Sequence, residues 1–150
     1  LEDILKDYIN DDYNTMLIKT LSYRLAEALS EYLHRMVRIN TWGYRKDENK
    51  TIAELHKGDY KGIRPAPGYG CCPDHREKDL IFKLLKVNDI KLTQSFMMEP
   101  VSSTCGYYFS NPESEYFSVG RISEEQISSY AMERGETTQE QGKWLAGNIN

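Results

Sequence analysis

Arg64 and Tyr69 stand four and nine residues into a short run whose composition is set apart from everything around it: Tyr60 to His75, read Y-K-G-I-R-P-A-P-G-Y-G-C-C-P-D-H. Arginine carries a permanent charge on a planar fork that fits a carboxylate or phosphate, and a tyrosine face can stack on a base or sit against a cation. Pro65, Pro67 and Pro73 each fix φ and remove a backbone donor, so the run can neither continue a helix nor sit inside a sheet. Gly62, Gly68 and Gly70 let backbone approach another molecule where a Cβ would intervene. The chemistry this spells is recognition of a small zwitterionic or anionic ligand on a stiff loop. The plainer alternative pairs Arg64 with an acidic neighbour, Asp59 or Asp74, and makes Tyr69 a packing residue.

Other reactive types give weaker signals. Cys71 and Cys72 are adjacent and Cys105 is alone, an odd count that forms no disulfide framework. With His75 they offer soft ligand types, but no second ligand pair with finger-like spacing accompanies them, so loop cysteines ahead of a helix is the favoured reading.

The elements that position this loop follow from periodicity. Leu1 to Asp12 reads as a short amphipathic or frayed lead-in. From Asp12 to about Arg38, Met16, Leu17, Leu21, Leu25, Ala28, Leu29, Tyr32, Leu33 and Met36 recur at three- and four-residue spacing, which predicts a long amphipathic helix with this stripe packed in the core. Asp11 or Asp12 caps its start. Glu27 and Glu31, one turn apart near Arg24 and Arg35, read as solvated carboxylates with helical partners. Thr51 with Glu54 is a capping box, and Gly58 closes the short helix after it. A further helix starts at Pro73 or Asp74, carries Leu80, Ile81, Leu84 and Leu85 on one face and ends near Val87, with His75 as a neutral surface histidine in its first turn.

Beyond Ile90 the texture turns to strand formers. Ile90 to Met98 and Val101 to Ser110 read as extended, Ser110 to Ser114 as a turn, and Tyr116 to Ile122 as a strand completing an antiparallel hairpin. Its aromatics Tyr107, Tyr108, Phe109, Tyr116 and Phe117 are expected mostly to pack between sheet and helices, with Tyr116 and Phe117 on opposite faces. Ser123 with Gln126 opens a helix that stops at Gly135; Thr137 with Glu140, or Thr138 with Gln141, opens a last one carrying Trp144 and Leu145. Helices, then strands, then helices without βαβ alternation give an α+β fold with an antiparallel sheet and hairpin flanked by helices.

Composition bounds the function. At 150 residues one domain with a real core is the expectation, spanning residues 1–150. Charged residues are 28% and hydrophobic ones 39%, as in ordinary globular chains. No apolar run approaches the ~20 residues needed to span a bilayer, and the acidic N-terminus is unlike a signal peptide. A net charge of −4 disfavours nonspecific nucleic-acid or anionic-membrane binding. A cytoplasmic setting with small-molecule or protein partners is expected. The chain begins without methionine, which suggests an excised or processed piece.

The run G-I-R-P-A-P-G-Y followed by C-P-D-H-R-E-K resembles the S-adenosylmethionine-binding signature of the activation domain of cobalamin-dependent methionine synthase. R-L-A-E-A-L-S-E-Y-L-H and W-G-Y upstream, and L-T-Q-S-F-M-M, G-Y-Y-F-S-N-P-E-S-E-Y-F-S-V-G and K-W-L-A-G-N downstream, are similar to that domain in the same order. The resemblance implies the C-terminal part of an activation domain with a bent, C-shaped fold. It implies binding of S-adenosylmethionine by Arg64, Ala66, Gly68, Tyr69, Tyr116 and Phe117, with Glu27 supporting Tyr69. It further implies reductive methylation of cob(II)alamin, the cobalamin being held by another module and the electron coming from flavodoxin or a flavoprotein reductase. The sequence departs from the family at Gly70 and Cys71, where proline or another residue is usual, and the family's ligand-binding aspartate belongs to an N-terminal part not present here. Two other readings stay open: a docking module for a flavodoxin, a reductase or a cobalamin domain with no retained ligand, and a separate methyltransferase, which the absence of a strand, glycine loop and helix unit disfavours.

Overall fold

The structure is a computed structural model, and it describes residues 1–149. Its longest element is α2, Asp12–Met36, after a one-turn lead-in α1, Glu2–Lys6. Asp11 caps α2, its carboxylate accepting the Asn14 N–H at 3.0 Å. At its far end the helix widens into a π turn, Val37–Thr41, where the Trp42 N–H reaches back five residues to the Val37 carbonyl.

The stripe that periodicity assigned to the core points the other way. Leu17, Leu21, Leu25, Leu29 and Leu33, with Met16 and Tyr32, are all exposed, Leu25 at 62%. The face turned toward the rest of the chain is the row Ser22, Ala26, Ser30, His34 and Arg38, spaced by four; the last two are fully buried. Small and polar residues let neighbouring backbone come close, and Ser30 there donates to the Thr104 hydroxyl at 2.8 Å. An amphipathic period identifies residues that share a face, but not which face the chain covers.

Local signals are otherwise accurate. The capping boxes at Thr51–Glu54, Ser123–Gln126 and Thr137–Glu140 all form, opening α3 (Ile52–His56), α5 (Glu124–Arg134) and α6 (Thr138–Trp144). Thr137, not Thr138, is the cap of α6, and α5 stops at Gly135. Between α3 and α5, α4 covers Glu77–Leu85, starting later than Pro73 and burying only Lys78 and Ile81, while Leu80, Leu84 and Leu85 are exposed.

The fold is α+β, with a small antiparallel hairpin among helices, but the strands fall elsewhere than the composition suggested. Ile90 to Met98 does not run as one strand. It folds back within itself: β1 (Lys91–Leu92) pairs antiparallel with β2 (Met98–Glu99), Leu92 opposite Met98, around a turn in which Thr93 accepts from Phe96 and Met97. The segments 101–110 and 116–122 do not pair with each other. Each reaches across to the proline-rich loop instead: Ile63 and Phe109 exchange both backbone hydrogen bonds at 3.0 and 2.9 Å, Tyr107 N–H donates to the Pro65 carbonyl at 2.9 Å, and Val119 N–H to the Gly70 carbonyl at 2.8 Å. Their aromatics do not pack between a sheet and helices as expected: Tyr107 and Tyr108 are half-buried, Tyr108 against His34 of α2, while Phe109, Tyr116 and Phe117 are exposed.

Buried apolar side chains are few among the described residues: Ile63, Pro65 and Pro67 of the loop, Ile81, Ile127, Ala131 and Leu145. A buried polar knot joins the loop to the C-terminal helices. Arg76 chelates Asp74, reaches Gln141 and pairs with Glu136 at 2.5 Å, and Glu77 accepts from Tyr130 at 2.8 Å and from Arg134 at 2.6 Å. The chain exposes 11,084 Å², against roughly 7,900 Å² for a compact protein of this mass, so the fold is spread out rather than rounded.

Candidate functional site

The loop from Tyr60 to His75 is rigid for reasons that can be counted. Pro67 is fully buried and Pro65 is buried, and Gly68 N–H closes a turn on the Cys72 carbonyl at 2.7 Å while Cys72 N–H bonds the Tyr69 carbonyl at 2.8 Å. Two glycines are required by what lies against them. Gly62, at φ 85°, would put a Cβ 2.5 Å from the Phe109 carbonyl; Gly68, at φ 98°, would put one 2.0 Å from the His75 ring. His75 is thus a half-buried wedge beneath the loop, and not a surface histidine. Its Nδ1 lies 2.6 Å from the Lys78 ammonium, and burial, with Lys78 beside it, lowers its pKa and keeps it neutral.

The second wall is the segment through Tyr116 and Phe117. Tyr116 accepts the Arg64 backbone N–H on its hydroxyl at 2.9 Å. Phe117 is clasped through its backbone by Cys71: the thiol donates to the Phe117 carbonyl at 2.8 Å and the Phe117 N–H points at the sulfur from 3.2 Å. Gly70 and Cys71 are the loop residues that meet this wall: the Gly70 carbonyl accepts from Val119 N–H at 2.8 Å, and a Cβ at Gly70 would stand in ordinary contact, 3.4 Å, with the Phe117 carbonyl and Ser118. Tyr69, Tyr116 and Phe117 are 71%, 57% and 62% exposed, open aromatic surface on both the loop and its wall.

Arg64 connects this surface to α2. Its Nη2 donates to Glu31, and its Nη1 approaches the Tyr60 hydroxyl at 3.2 Å and His34 Nδ1 at 3.5 Å. The expected partners are both engaged elsewhere, Asp59 with Lys50 at 2.7 Å and Asp74 with Arg76 at 2.7 Å. Tyr60 and His34 are themselves locked: Arg38 lies 4.0 Å over the Tyr60 ring while chelating Glu48 at 2.7 Å through two nitrogens, and His34 packs edge-on to Tyr60 and against Tyr108. Burial pushes the His34 pKa down to about 4, with Arg38 and Arg64 adding to the effect, so the ring is neutral. A neutral imidazole facing an arginine N–H accepts at Nδ1, and its proton sits on Nε2.

Of the residues named from the sequence, Arg64, Ala66, Gly68, Tyr69, Tyr116 and Phe117 lie on two segments joined to each other. Glu27 stands apart on the exposed side of α2, its carboxylate 3.0 Å from Arg24. Glu31, His34 and Tyr60 were not singled out for the site. The signal that could have found them is the polar row on α2, since Glu31, His34 and Arg38 stand three and seven residues apart on one helical face. Two open depressions lie away from the loop, one lined by Arg76, Asp79, Leu80, Lys83 and Arg134, the other between α1 and the start of α2. The aromatic surface is not an enclosed cavity, and its use is carried by chemistry rather than depth.

Comparison with known proteins bears on this arrangement. Residues 2–135 match the family described as vitamin B12 dependent methionine synthase, activation domain. Among solved structures, the chain is similar to a crystal structure of the MetH reactivation domain bound to AdoHcy, with 46% identity and a TM-score of 0.93. The match covers 99% of this chain and 46% of that one, so the chain spans less than half the length of that relative. No helix among the described residues is long and apolar enough to cross a membrane.

Proposed function

Because the chain belongs to the vitamin B12-dependent methionine synthase activation-domain family, we propose that it binds S-adenosylmethionine on the loop and wall just described and presents the methyl group for reductive methylation of cob(II)alamin. The observation that carries this reading is Arg64: a half-buried guanidinium, fixed from the α2 side, on a stiff loop whose outer neighbours are open aromatic rings.

The residues fit the ligand by type. Arg64 takes the methionyl carboxylate with the donors that its protein partners leave. Gly68 N–H is committed to Cys72 and the Ala66 carbonyl already accepts from Tyr69 N–H at 3.3 Å, so these two residues contribute carbonyl lone pairs, suited to the ligand ammonium or ribose hydroxyls. Tyr69, Tyr116 and Phe117 enclose the adenine and the positive sulfur, which an aromatic face attracts. When bound, S-adenosylmethionine supplies a methyl group already activated by the sulfonium, which departs as a neutral thioether. The chain therefore needs no general base or nucleophile; it binds, orients and excludes water from the transfer. The cobalamin is held by another module of the enzyme, and one electron comes from flavodoxin or a flavoprotein reductase working in the cytoplasm. The chain by itself binds without completing turnover.

Calorimetric titration of S-adenosylmethionine into the chain tests this. Saturable binding, weakened at least about tenfold by Arg64→Ala, is expected. Failure of the unaltered chain to bind would overturn ligand binding by this chain and favour a docking role.

A further inference from the structure

We propose that Glu31 is the positioning residue for Arg64, setting the guanidinium so that its unused edge faces the carboxylate of the ligand; the inference rests on the S-adenosylmethionine reading above. Arg64 has a fork of five N–H donors. Glu31 holds the Nη2 corner, and Tyr60 and His34 hold Nη1. Among the described residues no protein acceptor meets Nε, so the edge formed by Nε and the second Nη2 proton is the one left for a two-pronged carboxylate. The Arg64 side chain is 24% exposed, so it is not sealed off from solvent. The frame behind it is stiff, because Tyr60 and His34 are pinned by the buried Arg38 and Glu48 pair.

Two effects oppose each other when Glu31 is removed. Losing a carboxylate raises the positive potential at Arg64, which favours an anion. It also frees a long side chain to swing, and a bidentate bond depends on the plane of the fork. A ligand whose carboxylate neighbours its own ammonium is close to neutral at that end and gains little from the added potential. Loss of orientation therefore dominates.

The test uses the whole chain, with S-adenosylhomocysteine and 5′-methylthioadenosine as ligands; the second keeps the thioadenosine and lacks the amino-acid carboxylate. Glu31→Ala is expected to weaken S-adenosylhomocysteine about tenfold and to leave methylthioadenosine unchanged, which also reports that the fold survives. Glu31→Gln, whose carbonyl still accepts from Arg64, is expected to recover most of the loss. In the Arg64→Ala background Glu31→Ala is expected to add nothing further. Unchanged S-adenosylhomocysteine affinity in Glu31→Ala, equal weakening of both ligands, or additive losses in the double variant would each overturn the role of Glu31 while leaving the site standing. An unaltered chain that binds neither ligand would overturn the functional reading and this inference with it.

Discussion

Replacing Gly68 by alanine puts the rigidity of the loop to a quantitative test. The new Cβ would lie 2.0 Å from His75 Cε1, and ordinary contact begins near 3.4 Å, so the ring must retreat by about 1.4 Å. It is not free to do so, because its Nδ1 is 2.6 Å from the ammonium of Lys78, which is only 5% exposed. Three costs combine. A side chain at φ 98° costs about 1–2 kcal/mol; overpacking costs about 1–3 kcal/mol; and a buried ammonium deprived of its partner costs about 1–3 kcal/mol. The expected destabilisation is roughly 3–8 kcal/mol, a large part of the ~5–15 kcal/mol available to a natural domain. Urea unfolding of Gly68→Ala, His75→Ala and the double variant separates the terms. In the His75→Ala background the steric part vanishes, and Gly68→Ala should cost only the ~1–2 kcal/mol of its backbone conformation. The coupling is then roughly 2–6 kcal/mol in favour of the double variant. Additive losses, or a Gly68→Ala chain within ~0.5 kcal/mol of the parent, would refute the wedge.

Three further outcomes are expected. His34 has its folded pKa lowered to about 4 from about 6.5 unfolded, so between those values the unfolded chain binds more protons and stability falls as pH falls; from pH 7 to 5 the loss is about 2 kcal/mol, and urea midpoints for His34→Gln should lose that slope. Arg76→Leu leaves Asp74, 3% exposed, and Gln141, fully buried, without their partner, and should cost about 3–5 kcal/mol by denaturant unfolding. Leu25→Lys, on the outward face of α2, should shift stability by no more than ~0.5 kcal/mol, whereas a core leucine would cost ~2–5 kcal/mol; thermal melts decide it.

Legibility in the sequence followed the range of the interactions. Caps depend on residues three apart, and Asp11, Thr51, Ser123 and Thr137 all cap as their neighbours implied. The stiffness of the proline and glycine loop is likewise local, and its residues could be named in advance. What could not be read was any choice of partner across the chain. Tyr, Phe and Thr in 101–110 announce extended backbone, but only the folded chain selects Ile63 over the 116–122 segment as the partner of Phe109. The outward leucines of α2 failed for the same reason, since a helix has two faces and periodicity ranks neither. Arg64 stands out in the sequence as the one arginine of the loop, while its partner Glu31, 33 residues earlier, lay beyond any local rule.

The cross-links from the loop to 107–109 and 116–119 also set the order in which this chain can assemble. Ile63 meets Phe109 and Gly70 meets Val119 across 46 and 49 residues of intervening chain, and closing such spans consumes entropy before any contact returns it. The capped helices form on their own short timescales, so the loop docks against its wall after them, once the intervening chain that holds α4, β1 and β2 has been brought round. The aromatic surface therefore exists as a unit only once these long-range closures are made.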